Sequence, residues 1–238
     1  MATTIPGIRA ANHVTAISDY VLEDVRSTLG LRVEGSSRIY NGTRFCGNGQ
    51  PPVGPSLTAP AILGVNLWQP HKNLTKLLGA FTHLRKEFPQ LELHLAGRPQ
   101  KNFRRLPALA KLIEAPGVKL LGYLSDEELS TAYTSASVFA YPSIAEGFGL
   151  PILEAMAAGT PVVTSNTSCL PEIAGGAAIL VDPFSEADIT AGLRRALTEG
   201  AAERTARVAK GKCVAARFSW HTAAESYLRL YEQLLSED

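Results

Sequence analysis

From residue 61 onward the chain repeats one pattern: a short apolar run, a turn, then a longer stretch with apolar positions at helical spacing. The apolar runs are AILGV (61–65), LELHLAG (91–97), VKLLG (118–122), SVFAYP (137–142), PVVTS (161–165) and AAILVD (177–182). Helical stretches fall between them at roughly 73–87, 103–114, 125–136 and 151–158, with a short turn near 170–174. SEADITAGLRRALTEG (185–200) follows, and two more helices complete the chain. Runs that are apolar throughout mark strands covered on both faces. Alternation of strand and helix then predicts an α/β fold with a mostly parallel sheet. SDEE and SEAD read as capping boxes, or near variants, at helix starts.

The first part of the chain does not join this pattern. HVTAI (13–17) reads as a strand, and DYVLEDVRSTLGL sets Val21, Leu22, Val25 and Leu29 at helical spacing before Gly30. RIYNG is a brief extended piece, and residues 42–60 are rich in Gly and Pro without any period, as in a linker or long loop. One strand–helix unit cannot bury its own apolar face. It packs against the main domain or is the end of a second one.

Composition narrows the class. The chain has 238 residues, 45% hydrophobic and 19% charged, with a net charge of +1. It carries no basic footprint for nucleic acid and no acidic tail. Cys46, Cys169 and Cys213 are odd in number and form no CxxC, so neither a disulfide framework nor a zinc knuckle is expected. The histidines lack a metal-ligand spacing, so no metal is expected. The apolar runs are too short to span a membrane, and the N-terminus lacks the apolar core of a signal peptide. These features predict a reducing, cytoplasmic setting.

The chemistry concentrates in YPSIAEGFGLPILEAMAAGTPVV (141–163). Ligands of open parallel sheets bind beyond the carboxyl ends of the strands, which places Glu146 at that edge. Pro151 suits a first helical turn. Gly147 and Gly149 allow close approach of backbone N–H groups, and a helix N-terminus favours anions. Glu154 lies one turn inside the same helix, and a carboxylate accepts hydrogen bonds from vicinal hydroxyls. An anion cradle flanked by two hydroxyl binders matches the parts of a nucleoside diphosphate sugar. Spacing alone also permits solvated, dipole-friendly glutamates in a first turn.

Residues 137–182 resemble the C-terminal donor-binding domain of retaining GT-B glycosyltransferases of family 4, which carry E-x7-E as EGFGLPxLEAMAxGxPVV. QPHKNLTKLLGAF, GYLSDEELSTAYTSASVFAYPS, SNTSCLPEIAGGAAILVDP and FSWHTAAESYLRLYEQL extend the likeness in both directions, and residues 14–42 resemble the last unit of the family's N-terminal domain. The resemblance implies a Rossmann-like parallel sheet flanked by helices, the C-terminal half of a GT-B fold. It divides the chain into a remnant N-terminal unit (1–45), a linker (46–60), a donor-binding domain (61–218) and a closing helix (219–238).

By position, the resemblance gives Glu146 contact with the transferred hexose and Glu154 the ribose. It gives Gly147, Phe148, Gly149 and Leu150 the loop whose amides face sugar and phosphates, and Lys72 the pyrophosphate. Tyr123 and Leu124 fall where backbone recognises the base, and Gly97 and Arg98 line the same pocket. Many members place an arginine shortly before the lysine; here the nearest candidate is the neutral Asn66. The implied donor is GDP- or UDP-linked, with a mannosyl unit favoured by the motif style, and no cofactor. The implied partners are a nucleotide sugar, a glycan or glycolipid acceptor, and a missing N-terminal GT-B domain or partner chain. The implied location is the cytoplasm or the inner membrane face. The competing expectations are a non-catalytic nucleotide-sugar binding module or partner subunit, and a sugar-nucleotide epimerase, which the E-x7-E block disfavours. His94 is expected in the core or at an edge. Asp126, Glu127 and Glu128 are expected as caps and solvated faces. Trp220 and the Tyr227/Leu228/Tyr231 stripe are expected to pack their helix.

Overall fold

The computed structural model describes residues 4–30, 35–43, 56–57, 60–99 and 107–236. The predicted linker lies almost wholly outside the described residues, as do Cys46 and the start predicted for the helix at 103. After α1 (Thr4–Ala10) come β1 (Val14–Ala16), α2 (Asp19–Leu29) and β2 (Ser36–Arg38). The main domain runs β3 (Ala61–Val65), α3 (Leu74–Glu87), β4 (Glu92–Ala96), α4 (Pro107–Ile113), β5 (Val118–Gly122), α5 (Asp126–Ser135) and β6 (Val138–Tyr141). It continues with α6 (Leu150–Ala158), β7 (Val162–Ser165), α7 (Leu170–Ala174), β8 (Ile179–Val181), α8 (Glu186–Thr198), α9 (Ala201–Ala215) and α10 (Trp220–Ser236).

Six strands form one parallel sheet in the order β5-β4-β3-β6-β7-β8. β3 is the pivot: it pairs with β4 on one side and with β6 on the other, and all five of its residues are buried. From there the chain winds outward one way through β4 and β5, then returns to wind the other way through β6, β7 and β8. That reversal opens a crevice at the carboxyl ends of β3 and β6. Helices cover both faces: α3 packs on α8, and α6 on both α5 and α9. Ser125 and Glu128 close a full capping box at α5, whereas Ser185 caps α8 by accepting from the Asp188 amide.

The N-terminal part differs from its expected strand–helix form. It is a strand–helix–strand unit, with β1 and β2 paired in parallel, preceded by a helix that Pro6 and Gly7 hide from a periodicity reading. The unit packs against the main domain. Ser18, fully buried, donates its hydroxyl to the Gly147 carbonyl at 2.8 Å and accepts from the Val21 amide at 3.2 Å. The Glu172 carboxylate accepts from the Asp19 and Tyr20 amides at 2.8 and 3.1 Å, capping α2 from across the junction. Tyr40 joins Phe148 and Phe218 in an aromatic cluster, with centroids 6.1 and 5.1 Å away. Burial, then the neighbouring Glu172, push the Tyr40 hydroxyl pKa well up.

The C-terminal helix corrects another expectation. α10 seats on the protein through the Ala223 side, while Trp220, Leu228 and Tyr231 are 50, 61 and 56% exposed. Their apolar spacing therefore marks a face that these elements leave open.

Candidate functional site

Two loops meet at the crevice. The loop after β3 makes a 3-10 turn at Pro70–Lys72, and the loop after β6 carries Glu146. Asn73 adopts the left-handed conformation (φ 63°), and its side-chain amide donates to the Pro142 and Pro183 carbonyls at 3.0 and 2.7 Å. The Ile144 amide donates to the His71 carbonyl at 2.7 Å, so the His71 backbone ties the two loops together. These bonds hold the two loops together across the strand-order reversal.

Lys72 occupies the junction. Its ammonium donates to Glu146 Oε1 at 2.6 Å and to the Tyr141 hydroxyl at 2.5 Å, and lies 4.9 Å from the centre of the Tyr141 ring. The Lys72 and Glu146 side chains are only 15 and 12% exposed. A solvated loop lysine is thereby ruled out. An ammonium has three N–H donors, and these two bonds leave one for a ligand oxygen. Burial, followed by the Glu146 charge, holds the Tyr141 hydroxyl protonated far above its ordinary range. Nothing in the sequence singles out Tyr141: an aromatic at the end of an apolar run reads as core, and it is indeed buried.

At the same carboxyl edge of the sheet, with neither Lys72 nor Glu146 in its lining, lies a cavity of about 400 Å³, within the size range of small-molecule sites. Its lining includes Asn66, Gly97, Tyr123, Leu124, Leu150 and Glu154. The fold thus gathers onto one wall six positions that are scattered through the sequence. Asn66 is left-handed (φ 53°) and exposed, with its amide oxygen where a Cβ on Gly97 would sit, 2.3 Å away. Gly97 itself has φ 104°, a backbone conformation that a side chain would strain. Tyr123 is 70% exposed at the rim, with the Arg98 guanidinium 5.5 Å from its ring centre. Asp126, expected as a solvated cap, also lines the cavity. Glu154 is half-buried, and the wholly buried Tyr133 donates its hydroxyl to it at 2.9 Å. It is therefore more than a solvated first-turn residue.

α6 begins at the boundary between pair and cavity. Gly149 caps it in the left-handed conformation (φ 96°), where a Cβ would fall 2.8 Å from Leu170 Cδ2. No side chain caps this end, the first turn carries no acidic residue and Pro151 lies within it, so the free amides at the positive end of the helix dipole take no side-chain acceptor. The Phe148 side chain turns into the aromatic cluster, so only its backbone faces the site. The Gly147 carbonyl is taken by Ser18. His94, by contrast, is buried in β4 with Nε2 2.8 Å from Glu92, outside the constellation.

The arrangement has the chemistry of an anion site joined to a polyol site. Lys72 and the α6 N-terminus supply positive potential, Glu154 supplies an acceptor over a mainly apolar cavity, and Glu146 supplies a second acceptor at the crevice. Among the described residues no cluster of His, Cys, Asp and Glu could hold a metal ion, and no helix is long and apolar enough to cross a membrane.

Known proteins are similar to this chain in sequence and in fold. The chain is 32% identical over 241 residues to the O-antigen chain mannosyltransferase B of Escherichia coli, covering 94% of itself and 61% of that protein. It is 35% identical over 170 residues to the MMP alpha-(1->4)-mannosyltransferase of Mycolicibacterium hassiacum, covering 70% of itself and 41% of that protein. The sucrose-phosphate synthase structure of Thermosynechococcus elongatus superposes with a TM-score of 0.81 at 26% identity, over 98% of this chain and 61% of that one. A glycosyltransferase structure from Rickettsia africae shares the fold with the same TM-score of 0.81 at 18% identity, over 95% of this chain and 64% of that one. The chain thus spans less than two thirds of the length of these proteins. The family profile described as glycosyl transferases group 1 matches residues 51–212, and the chain belongs to that family.

Proposed function

We propose that residues 61–218 form the donor-binding wall of a retaining hexosyltransferase that takes a nucleoside diphosphate sugar. The observation that carries this reading is the juxtaposition at one crevice of the Lys72–Glu146 pair, the uncapped α6 N-terminus and the Glu154 cavity. The nucleoside enters the cavity, with its ribose hydroxyls on Glu154 and its base beside Tyr123 and Leu124. The pyrophosphate lies between the α6 amides and Lys72, and the hexose reaches Glu146. As the bond from hexose to phosphate breaks, negative charge grows on the leaving diphosphate. Lys72 and the helix dipole are fixed in advance to meet it. Glu146 orients the sugar rather than withdrawing a proton, since its carboxylate is already committed to Lys72.

The hydroxyl acceptor lies across the crevice, on a wall supplied by an N-terminal GT-B domain or partner chain. Transfer depends on holding both reactants in register. The names of the mannosyltransferases it resembles support a mannosyl unit as the group transferred; we take the donor as GDP-linked in preference to UDP-linked and the acceptor as a glycan or glycolipid in polysaccharide assembly. The setting is cytoplasmic, at the inner membrane face when the acceptor is a lipid.

Calorimetric titration with GDP, UDP and ADP, and with their hexose derivatives, tests the reading. One nucleotide class should saturate the site, and Lys72→Ala and Glu154→Gln should each weaken it about tenfold or more, the equivalent of one charged hydrogen bond. A folded chain that binds none of them at millimolar concentration refutes independent donor binding.

A further inference from the structure

The loop between β7 and α7 reads NTSC (166–169), and nothing in the proposed donor contacts uses it. Yet three consecutive side chains of this loop grip the backbone that carries Glu146. The Thr167 hydroxyl donates to the Ile144 carbonyl at 3.0 Å. The Glu146 amide donates to the Ser168 hydroxyl at 3.2 Å. The Cys169 thiol donates to the Glu146 carbonyl at 3.2 Å. Ser168 is left-handed, with φ 55°. A residue other than glycine is disfavoured in that conformation, and such strain persists only where the surroundings impose it. The loop is fixed in turn from below, because Cys169 and Leu170 are fully buried. Glu146 itself follows Ala145, an exposed residue in a segment without regular structure, and has no helix or strand to aim it.

We propose that Thr167, Ser168 and Cys169 are positioning residues for Glu146, and that this loop sets hexose recognition without touching the donor. The proposal rests on the donor-site reading, in which Glu146 meets the hexose alone. Displacing the Glu146 backbone should therefore harm binding of a nucleoside diphosphate hexose and spare the nucleoside diphosphate.

The decisive variant is Ser168→Gly. It removes the acceptor of the Glu146 amide and also relieves the backbone strain, so thermal stability should hold or rise while sugar recognition falls. Affinity for GDP-mannose, or for the UDP-hexose if the parent chain prefers uridine, should drop about tenfold while affinity for the bare diphosphate stays within about twofold. Cys169→Ala should act in the same direction, and Cys169→Ser, which keeps a donor, should recover most of the loss. Equal losses for sugar nucleotide and diphosphate, or parental affinity for both in Ser168→Gly, overturn the positioning role and leave the donor site standing. A parent chain that binds neither ligand overturns the donor-site reading, and the positioning role with it.

Discussion

Removing the Lys72 ammonium while leaving Glu146 in place is the sharpest perturbation of this structure. At 2.6 Å, in the effective dielectric that suits protein sites, the attraction between the two charges is about 6 kcal/mol. Most of that offsets the desolvation of two side chains that are only 15 and 12% exposed. The intact pair therefore adds little net stability, but breaking it strands a carboxylate. Removal of one partner of a buried pair costs about 3–5 kcal/mol. Lys72→Met keeps the bulk of the chain and should sit at the lower end, because both groups retain an edge of solvent. For a chain of this size, about 3 kcal/mol lowers the melting temperature by about 6–12 °C. The double variant Lys72→Met/Glu146→Gln has no stranded charge and should recover more than half of the loss. Circular dichroism melts of parent, both single variants and the double variant close the cycle. If Lys72→Met melts within about 2 °C of the parent, or if the two single losses simply add in the double variant, the ion pair is not energetically coupled and the reasoning fails.

The Glu154 site needs a conservative probe. Glu154→Ala removes a hydrogen-bond acceptor of the buried Tyr133 hydroxyl and should cost about 1 kcal/mol in urea titration, whereas Glu154→Gln keeps an acceptor and should cost less than half of that. Gly149→Ala meets both a left-handed backbone and Leu170 at 2.8 Å, and should lower both the denaturation midpoint and nucleotide affinity. Burial first, then the nearby Glu146 and Glu172 charges, push the Cys169 thiol up to about 12, so peptide mass spectrometry after iodoacetamide at pH 8 should find the exposed Cys213 alkylated and Cys169 intact. With its folded pKa above the unfolded value, Cys169 stabilises the fold up to about pH 9 and loses that contribution as pH rises toward 12; Cys169→Ala should flatten this alkaline decline.

The parts of the molecule written as periodicity were open to reading. Apolar runs such as AILGV announced strands covered on both faces, and their alternation with helices announced a parallel sheet. Glycines and a proline marked a turn around Glu146 and Glu154, and the resemblance of the E-x7-E stretch to a known family gave the two glutamates their expected roles. What periodicity does not carry is direction in space. Tyr141 and Phe148 are both aromatics in apolar surroundings, yet one reaches Lys72 and the other closes the junction with the N-terminal unit. Their difference arises from the bend between β6 and α6. Ser168 was equally hidden, because its role comes from a left-handed backbone and a partner 22 residues away. The α10 stripe shows the converse: apolar residues at helical spacing declare a face, and only the fold decides whether that face is covered.

The pivot position of β3 also bears on the order in which this chain folds. β3 and β4 are about 27 residues apart, whereas β3 and β6 are about 73 apart, so closing the second loop carries an extra entropic cost of about 1 kcal/mol. The first half-sheet therefore has the shorter route to its native pairing, and the seam between β3 and β6 is the later one to close. That seam is the floor of the crevice. A ligand spanning it would bridge two halves that the chain joins last, and would act on the unfolding rate by holding shut the pairing with the longest loop.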